Sequence, residues 1–206
     1  MIRTIFFDFG NVVAFFDHRL AIAKLARFTE LPGEELLRLF YNGPLEDQYE
    51  RGNLGTSEYV SEALKLGRLK CDEATFLAAF ADIFRPNAEV IELIPQLSKR
   101  YRLILASNTN DTHFQKFTEQ FAGVFEHFAA LCPSHHARHR KPEPGYFEYC
   151  QRFAEAERGE CLFLDDLQTN IDGAIAHGWQ GLQYRSGANL ARQLSEMGIQ
   201  FEPPNP

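Results

Sequence analysis

The chain has 206 residues, enough for one large domain or a compact core with a smaller inserted module. It is 45% hydrophobic and 24% charged, an ordinary globular balance that excludes disordered and fibrous classes. With 21 Lys and Arg against 28 Asp and Glu, the net charge of -7 speaks against a nucleic-acid partner, since phosphate backbones select basic surfaces.

No apolar run approaches the length of a membrane span, and the opening residues reach Asp8 too early for a signal-peptide core. Cys71, Cys132, Cys150 and Cys161 show no CxxC spacing. Neither a disulfide framework nor a zinc site is expected, so the expected setting is cytoplasmic. Monomer and homodimer stay equally open.

In chain order, the first strand-like run is Thr4 to Phe7, ending abruptly at Asp8. Similar short apolar runs recur at Leu103–Ala106, Phe128–Cys132, Cys161–Leu164 and Gly181–Tyr184. Short, non-alternating runs suit strands buried on both faces of a parallel sheet. Helix-like stretches near 112–121, 144–157, 168–177 and 188–197 follow the last four runs. This alternation predicts a doubly wound α/β core with a parallel sheet.

Between Val13 and Tyr101 the sequence shows amphipathic helices and no strand-like run. The apolar stripes are Ala21, Leu25 and Phe28, then Leu36, Leu37, Phe40 and Tyr41, then Tyr59, Val60, Ala63 and Leu64. A further stripe runs Phe76, Leu77, Phe80, Ile83 and Phe84 behind Asp72 as N-cap. The stripe Val90, Ile91, Ile94 and Leu97 leads into the second strand and belongs to the core. The expected division is a core of residues 1–14 and 86–206 with an inserted α-helical cap at 15–85. The tail Glu202–Pro206 is expected to be extended.

Ligands of open parallel sheets bind at the carboxyl ends of strands. Those ends carry Asp8 with Gly10, then Ser107 with Asn108, then Asp165 with Asp166; Lys141 lies in the loop before the helix leading to the fourth run. Three neighbouring carboxylates need a compensating cation, and hard oxygen donors with a phosphate nearby suit Mg²⁺. Ser107 and the following helix start suit a phosphate, as does the point charge of Lys141. An Asp between metal and phosphoryl group can act as nucleophile.

The motifs Asp8-Phe9-Gly10-Asn11-Val12-Val13, Leu105-Ala106-Ser107-Asn108-Thr109, Arg140-Lys141-Pro142-Glu143-Pro144 and Phe163-Leu164-Asp165-Asp166, with Asn170 following, stand in that order. Together they resemble the haloacid dehalogenase-like (HAD) hydrolase superfamily over essentially the whole chain, with its Rossmannoid core. Ser107-Asn108-Thr109-Asn110, Glu50-Arg51-Gly52 and Asn170-Ile171-Asp172-Gly173-Ala174 look closest to two of its groups. These are the bacterial glucose-1-phosphate phosphatases and the N-terminal phosphatase domain of soluble epoxide hydrolase.

The resemblance implies a Mg²⁺-dependent phosphatase of small phosphorylated metabolites, plausible for sugar phosphates. Asp8 would be nucleophile and metal ligand, the Gly10 carbonyl and Asp166 further ligands, and Asp165 the more indirect one. Ser107, Asn108 and Lys141 would hold the phosphate, and Glu50 and Arg51 would meet substrate from the cap. One position departs from the pattern: most phosphatases of this superfamily carry an aspartate two residues after the nucleophile as general acid, and here it is Gly10. Asp17, with His18 and Arg19 beside it, lies just past the first motif and is the candidate to supply that proton.

Competing readings are a 2-haloacid dehalogenase, which the Asp165-Asp166 pair opposes, and a catalytically silent binding protein, which Gly10 keeps open. His135, His136 and His139 lack an acidic partner at helical spacing. They predict a flexible basic loop near the phosphate entrance, with no metal.

Overall fold

The structure is a computed structural model that describes residues 1–41 and 43–201. The expected extended tail, Glu202–Pro206, lies outside the described residues.

The chain opens with β1 (Thr4–Phe7) and β2 (Ala14–Phe16). Five helices follow: α1 (His18–Leu25), α2 (Gly33–Tyr41), α3 (Pro44–Glu50), α4 (Thr56–Leu66) and α5 (Glu73–Ala81). After β3 (Phe84–Pro86) come α6 (Ala88–Leu97), β4 (Arg102–Ser107), α7 (Asp111–Gln120), α8 (Ala122–Phe125), β5 (Ala130–Pro133), α9 (Ser134–Ala137) and α10 (Pro144–Gln151). The remainder is β6 (Cys161–Asp165), α11 (Gln168–Ala176), β7 (Gln180–Gln183) and α12 (Leu190–Glu196).

Five strands form a parallel sheet in the order β5-β4-β1-β6-β7. Its central strand alternates sides with the two-residue period of a strand. Ile5 and Phe7 join Leu103, Leu105, Leu162 and Leu164 under α6, α7 and α12. Phe6 joins Ile104, Phe163, Tyr146, Phe147 and Ile171 on the opposite face. Both faces are therefore dry, which is why these strands read as continuous apolar runs. Helices cover both sides, so the sheet is a doubly wound α/β layer structure.

α1 to α5 pack around a separate apolar cluster that includes Leu25, Leu36, Phe40, Tyr59, Phe76 and Phe80. Three elements here differ from the sequence expectation. β2 and β3 pair antiparallel, with Phe16 opposite Phe84 and Ala14 opposite Pro86. Phe84 thus leaves the helical stripe assigned to it, because α5 stops at Ala81. α3 had no apolar stripe to announce it; Pro44 at its first turn starts it behind Gly43.

The expected division at 14/15 and 85/86 falls inside the β2–β3 ribbon. Elsewhere the boundaries move by a few residues. The fifth run starts one residue earlier and stops before Tyr184, and α10 ends at Gln151 where a helix to 157 was expected.

Candidate active site

The carboxyl ends of β1, β4 and β6 open into a cleft of about 640 Å³. The register sets Phe7 beside Leu105 and Leu164, so the residues leaving these strands emerge side by side. Asp8, Gly10, Asn108, Lys141 and Asp166 line the floor. Phe16, His18, Tyr41, Glu46 and Glu50 line the opposite wall, and Arg140 stands between.

At the floor, Lys141 Nζ lies 2.8 Å from Asp8 Oδ1 and 2.7 Å from Asp165 Oδ2. Asp8 Oδ1 also accepts from the Phe9 N–H at 2.7 Å. Asp165 is wholly buried and accepts from the Leu167 N–H at 2.8 Å and from Asn170 Nδ2 at 3.0 and 3.1 Å. Asp166 is half-buried, and its Oδ2 accepts from Asn11 Nδ2 at 3.0 Å. Carboxylate oxygens of Asp8, Asp165 and Asp166 lie within 4.8 Å of one another.

Burial pushes the Asp8 carboxyl up to about 8; Lys141 opposes the rise, and Asp165 and Asp166 add to it. Burial, the largest influence, also lifts Asp166, with Asn11 opposing and Asp165 adding. For Lys141 burial pulls downward, but the carboxylates of Asp165 and Asp8 outweigh it and keep the ammonium charged. Three acids against one ammonium leave the cluster short of positive charge. Acceptor-only oxygens at this spacing suit a small hard cation such as Mg²⁺.

Asn108 clamps the neighbouring loop: its Oδ1 accepts from the Lys141 N–H at 2.8 Å and its Nδ2 donates to the Lys141 carbonyl at 3.1 Å. Ser107 ends β4, is 3% exposed, and is not among the residues lining the cleft. Among the described residues its Oγ reaches only the Asn108 carbonyl, at 3.5 Å.

Residues singled out on the helical side separate. Glu50 lines the cleft, with Arg140 Nη2 2.7 Å from its Oε2. Arg51 turns away, with Nε on Asp47 and Nη1 and Nη2 forked onto Glu143 at 2.9 and 2.5 Å. Asp17 does not line the cleft; it is exposed and caps α1 by accepting from the Arg19 N–H at 2.9 Å.

The expected flexible histidine loop is instead partly helical, as α9. His135 is buried, its Nδ1 3.0 Å from the Thr109 carbonyl, because Ser134 ties the segment to both sides. Ser134 Oγ donates to the Glu50 carbonyl at 2.6 Å and accepts from the Thr109 N–H at 2.9 Å. Tyr49 OH adds a further tie, accepting from the Thr112 N–H at 3.1 Å. These bonds and the Arg51–Glu143 fork hold α3 over the floor.

Sequence reasoning passed over Glu46, Tyr41 and Phe16 as cleft residues. The signal available for Glu46 was its spacing: it stands one helical turn before Glu50 and so shares that face of α3. His18 stacks on Tyr41 with ring centroids 3.8 Å apart. Burial lowers the imidazole to about 4 against the pull of Asp17, so it is neutral near pH 7.

A family model described as haloacid dehalogenase-like hydrolase matches residues 2–178. The D-ribitol-5-phosphate phosphatase of Bacteroides thetaiotaomicron is 25% identical over 201 residues, spanning 95% of this chain and 98% of that protein. A HAD family enzyme from the same bacterium was solved as an alanine variant with magnesium and inorganic phosphate. It matches with a TM-score of 0.85 at 20% identity, over 94% of this chain and 99% of that one. The L-2-haloacid dehalogenase of Xanthobacter autotrophicus, with chloropropionic acid covalently bound, gives a TM-score of 0.66 at 19% identity, over 97% and 85%. These two structures carry the fold alone.

Proposed function

The chain belongs to the haloacid dehalogenase-like hydrolases, and from that premise we propose a Mg²⁺-dependent phosphatase of small phosphate monoesters. The observation that carries this reading is the cluster of Asp8, Asp165 and Asp166 around Lys141 on the cleft floor. Bound there, Mg²⁺ would neutralise the phosphate and the acids together and keep Asp8 ionised. Asp8, Asp166 and the Gly10 carbonyl would hold it. Asp165, saturated by Lys141, Asn170 and the Leu167 N–H, would act by positioning.

The protein side of the reaction is then an in-line displacement. Oδ1 of Asp8 is held by the Phe9 N–H and Lys141, which leaves Oδ2 to attack phosphorus and form the aspartyl-phosphate. Lys141 balances charge on the transferred group, and Asn108 fixes the Lys141 backbone. Ser107 and the backbone N–H groups after it complete the phosphate site in this proposal.

The substrate class follows from the opposite wall. Glu46 and Glu50 line the wall that faces the leaving group, and their carboxyl oxygens suit one with hydroxyls to donate. A sugar or polyol phosphate fits, in keeping with the ribitol-phosphate relative. The acids of the floor, Asp165 and Asp166, oppose a haloacid. Four free cysteines suit a cytoplasmic setting, and no helix among the described residues is long and apolar enough to cross a membrane.

The test is phosphate release from a panel of sugar, polyol and carboxylated phosphates with added Mg²⁺. Turnover of the polyol and sugar members is expected. Chloride release from a 2-haloacid without metal would replace this reading with the dehalogenase one, and no turnover of any member would leave a binding protein.

A further inference from the structure

The phosphatase reading, on which this inference rests, leaves one atom without a source: the proton for the departing oxygen. Gly10 has no carboxyl, and Asp17 caps α1 outside the cleft. His18 lines the cleft but is a neutral, weakly basic imidazole packed on Tyr41.

Four carboxyls line the cleft, and three are engaged. Asp8 is held by Lys141, Asp166 by Asn11 and Glu50 by Arg140. Glu46 is the fourth; among the described residues no hydrogen bond or ion pair involves it. It belongs to α3, which Ser134 and Tyr49 fix over the floor, so the carboxyl is presented by a rigid element.

The charged and titratable groups around Glu46 are Glu50 and Asp47 on its own helix, Arg140 from the loop before α10, and the Tyr41 and Tyr59 hydroxyls of α2 and α4. Arg140 is the one cation of this set, and it is shared with Glu50 and Asp47. Burial first, then Glu50, push the Glu46 carboxyl up to about 9, with Arg140 opposing and Asp47 adding. The group therefore keeps its proton at neutral pH, as a general acid must.

We propose that Glu46 is the catalytic acid and base of this reaction, working from the helical side of the cleft in place of the side chain that Gly10 lacks. As an oxygen of Asp8 bonds to phosphorus, the bond from phosphorus to the ester oxygen breaks. Its electron pair stays on that oxygen, which takes the Glu46 proton and departs as the alcohol. Water then bonds to phosphorus and gives a proton to the Glu46 carboxylate. The bond between phosphorus and the Asp8 oxygen breaks, and its pair returns to Asp8. Ester and water become alcohol and phosphate, and both side chains are restored.

The experiment measures kcat/KM from pH 6 to 10 for ribitol 5-phosphate and 4-nitrophenyl phosphate, in wild type, Glu46→Gln and Glu46→Asp. Nitrophenolate leaves without a proton, whereas an alkoxide does not. Glu46→Gln should lose about 10²- to 10⁴-fold on the alkyl ester and less than about tenfold on the aryl ester. Glu46→Asp should recover part of the alkyl rate. The wild-type alkyl rate should fall as pH rises past about 9, and Glu46→Gln should lack that limb. Equal losses on both esters, no loss on the alkyl ester, or an unchanged limb would overturn the acid role while leaving the phosphatase reading intact. A wild type that turns over neither ester would overturn both.

Discussion

Phe16 occupies the space beside Gly10: a Cβ placed on Gly10 would come within 2.8 Å of Phe16 Cε1 and 3.2 Å of its Cδ1. The position where the family pattern has its second aspartate is thus closed by an aromatic edge from β2. Phe16 is 37% exposed, so the obstruction comes from a side chain at the surface of the cleft.

Gly10→Asp alone should therefore lower kcat/KM on all esters, because the new carboxyl is crowded off its path. Folding stability should change by no more than about 1 kcal/mol, since the obstructing atoms are the edge of an exposed side chain and not backbone. Gly10→Asp combined with Phe16→Ala should raise alkyl-ester turnover above the Phe16→Ala single variant. Steady-state kinetics on the three proteins decides it; a single variant as fast as wild type would contradict the obstruction.

Asp8→Asn should reduce phosphatase turnover by more than about 10³-fold, as removal of a nucleophile does. The fold should persist, because Lys141 keeps Asp165 and one of three crowded acids becomes neutral. Urea unfolding in chelator measures the second point. A clearly lower midpoint for Asp8→Asn would show that the Lys141–Asp8 pair outweighs the repulsion.

Metal addition should stabilise the chain. At about 100 times its Kd, Mg²⁺ should add about 2.7 kcal/mol to unfolding free energy, seen as a raised Tm. Asp166→Asn should remove most of that increment. Ca²⁺ should not restore turnover in chelated enzyme, because it takes more ligands at longer distances. Equal activity with either ion, or in excess chelator, would refute the assignment of this cluster to Mg²⁺.

The Arg51–Glu143 fork gives a pH signature. Hydrogen bonds from Arg51 hold the Glu143 carboxyl down to about 2, against the upward push of partial burial. A carboxyl lowered in the folded state stabilises fully above its unfolded value near 4.5, and the benefit is lost as pH falls through about 2. The Arg51 and Glu143 side chains are 24% and 37% exposed, so solvent screening keeps the contribution below about 1 kcal/mol. Urea midpoints of wild type and Glu143→Gln should differ at pH 6 and converge toward pH 3. A constant gap would assign the difference to packing.

The sheet was legible because its strands are buried on both faces, so Phe6, Ile104 and Phe163 stand in unbroken apolar runs beside their neighbours. The acids at the strand ends were legible for the same reason, each being the first charge after such a run. β2 and β3 were not, since three-residue strands carry no period and Phe84 also fits a helical stripe. α3 was hidden by composition, as Pro44 to Glu50 is mostly polar. With it went the place of Glu46, whose one-turn spacing from Glu50 becomes a signal only once α3 is known to be a helix tied to α7 and α9. Asp17 failed to reach the cleft because a helix start beside it claimed its carboxylate.

The β2–β3 ribbon sets Phe16 directly opposite Phe84, so the polypeptide leaves the sheet layer and returns to it at a single point. None of the described residues between those two pairs with β1, β4 or β6 in the sheet, so the register of those strands is set outside that segment. Changes in that segment reshape what enters the cleft, while Asp8, Lys141 and the acids of β6 stay in place. Selection can thus act on choice of ester from the helical segment and on phosphoryl chemistry from the strand ends, which meet at the aromatic edge of Phe16 over Gly10 and at the ties of α3 to α7 and α9.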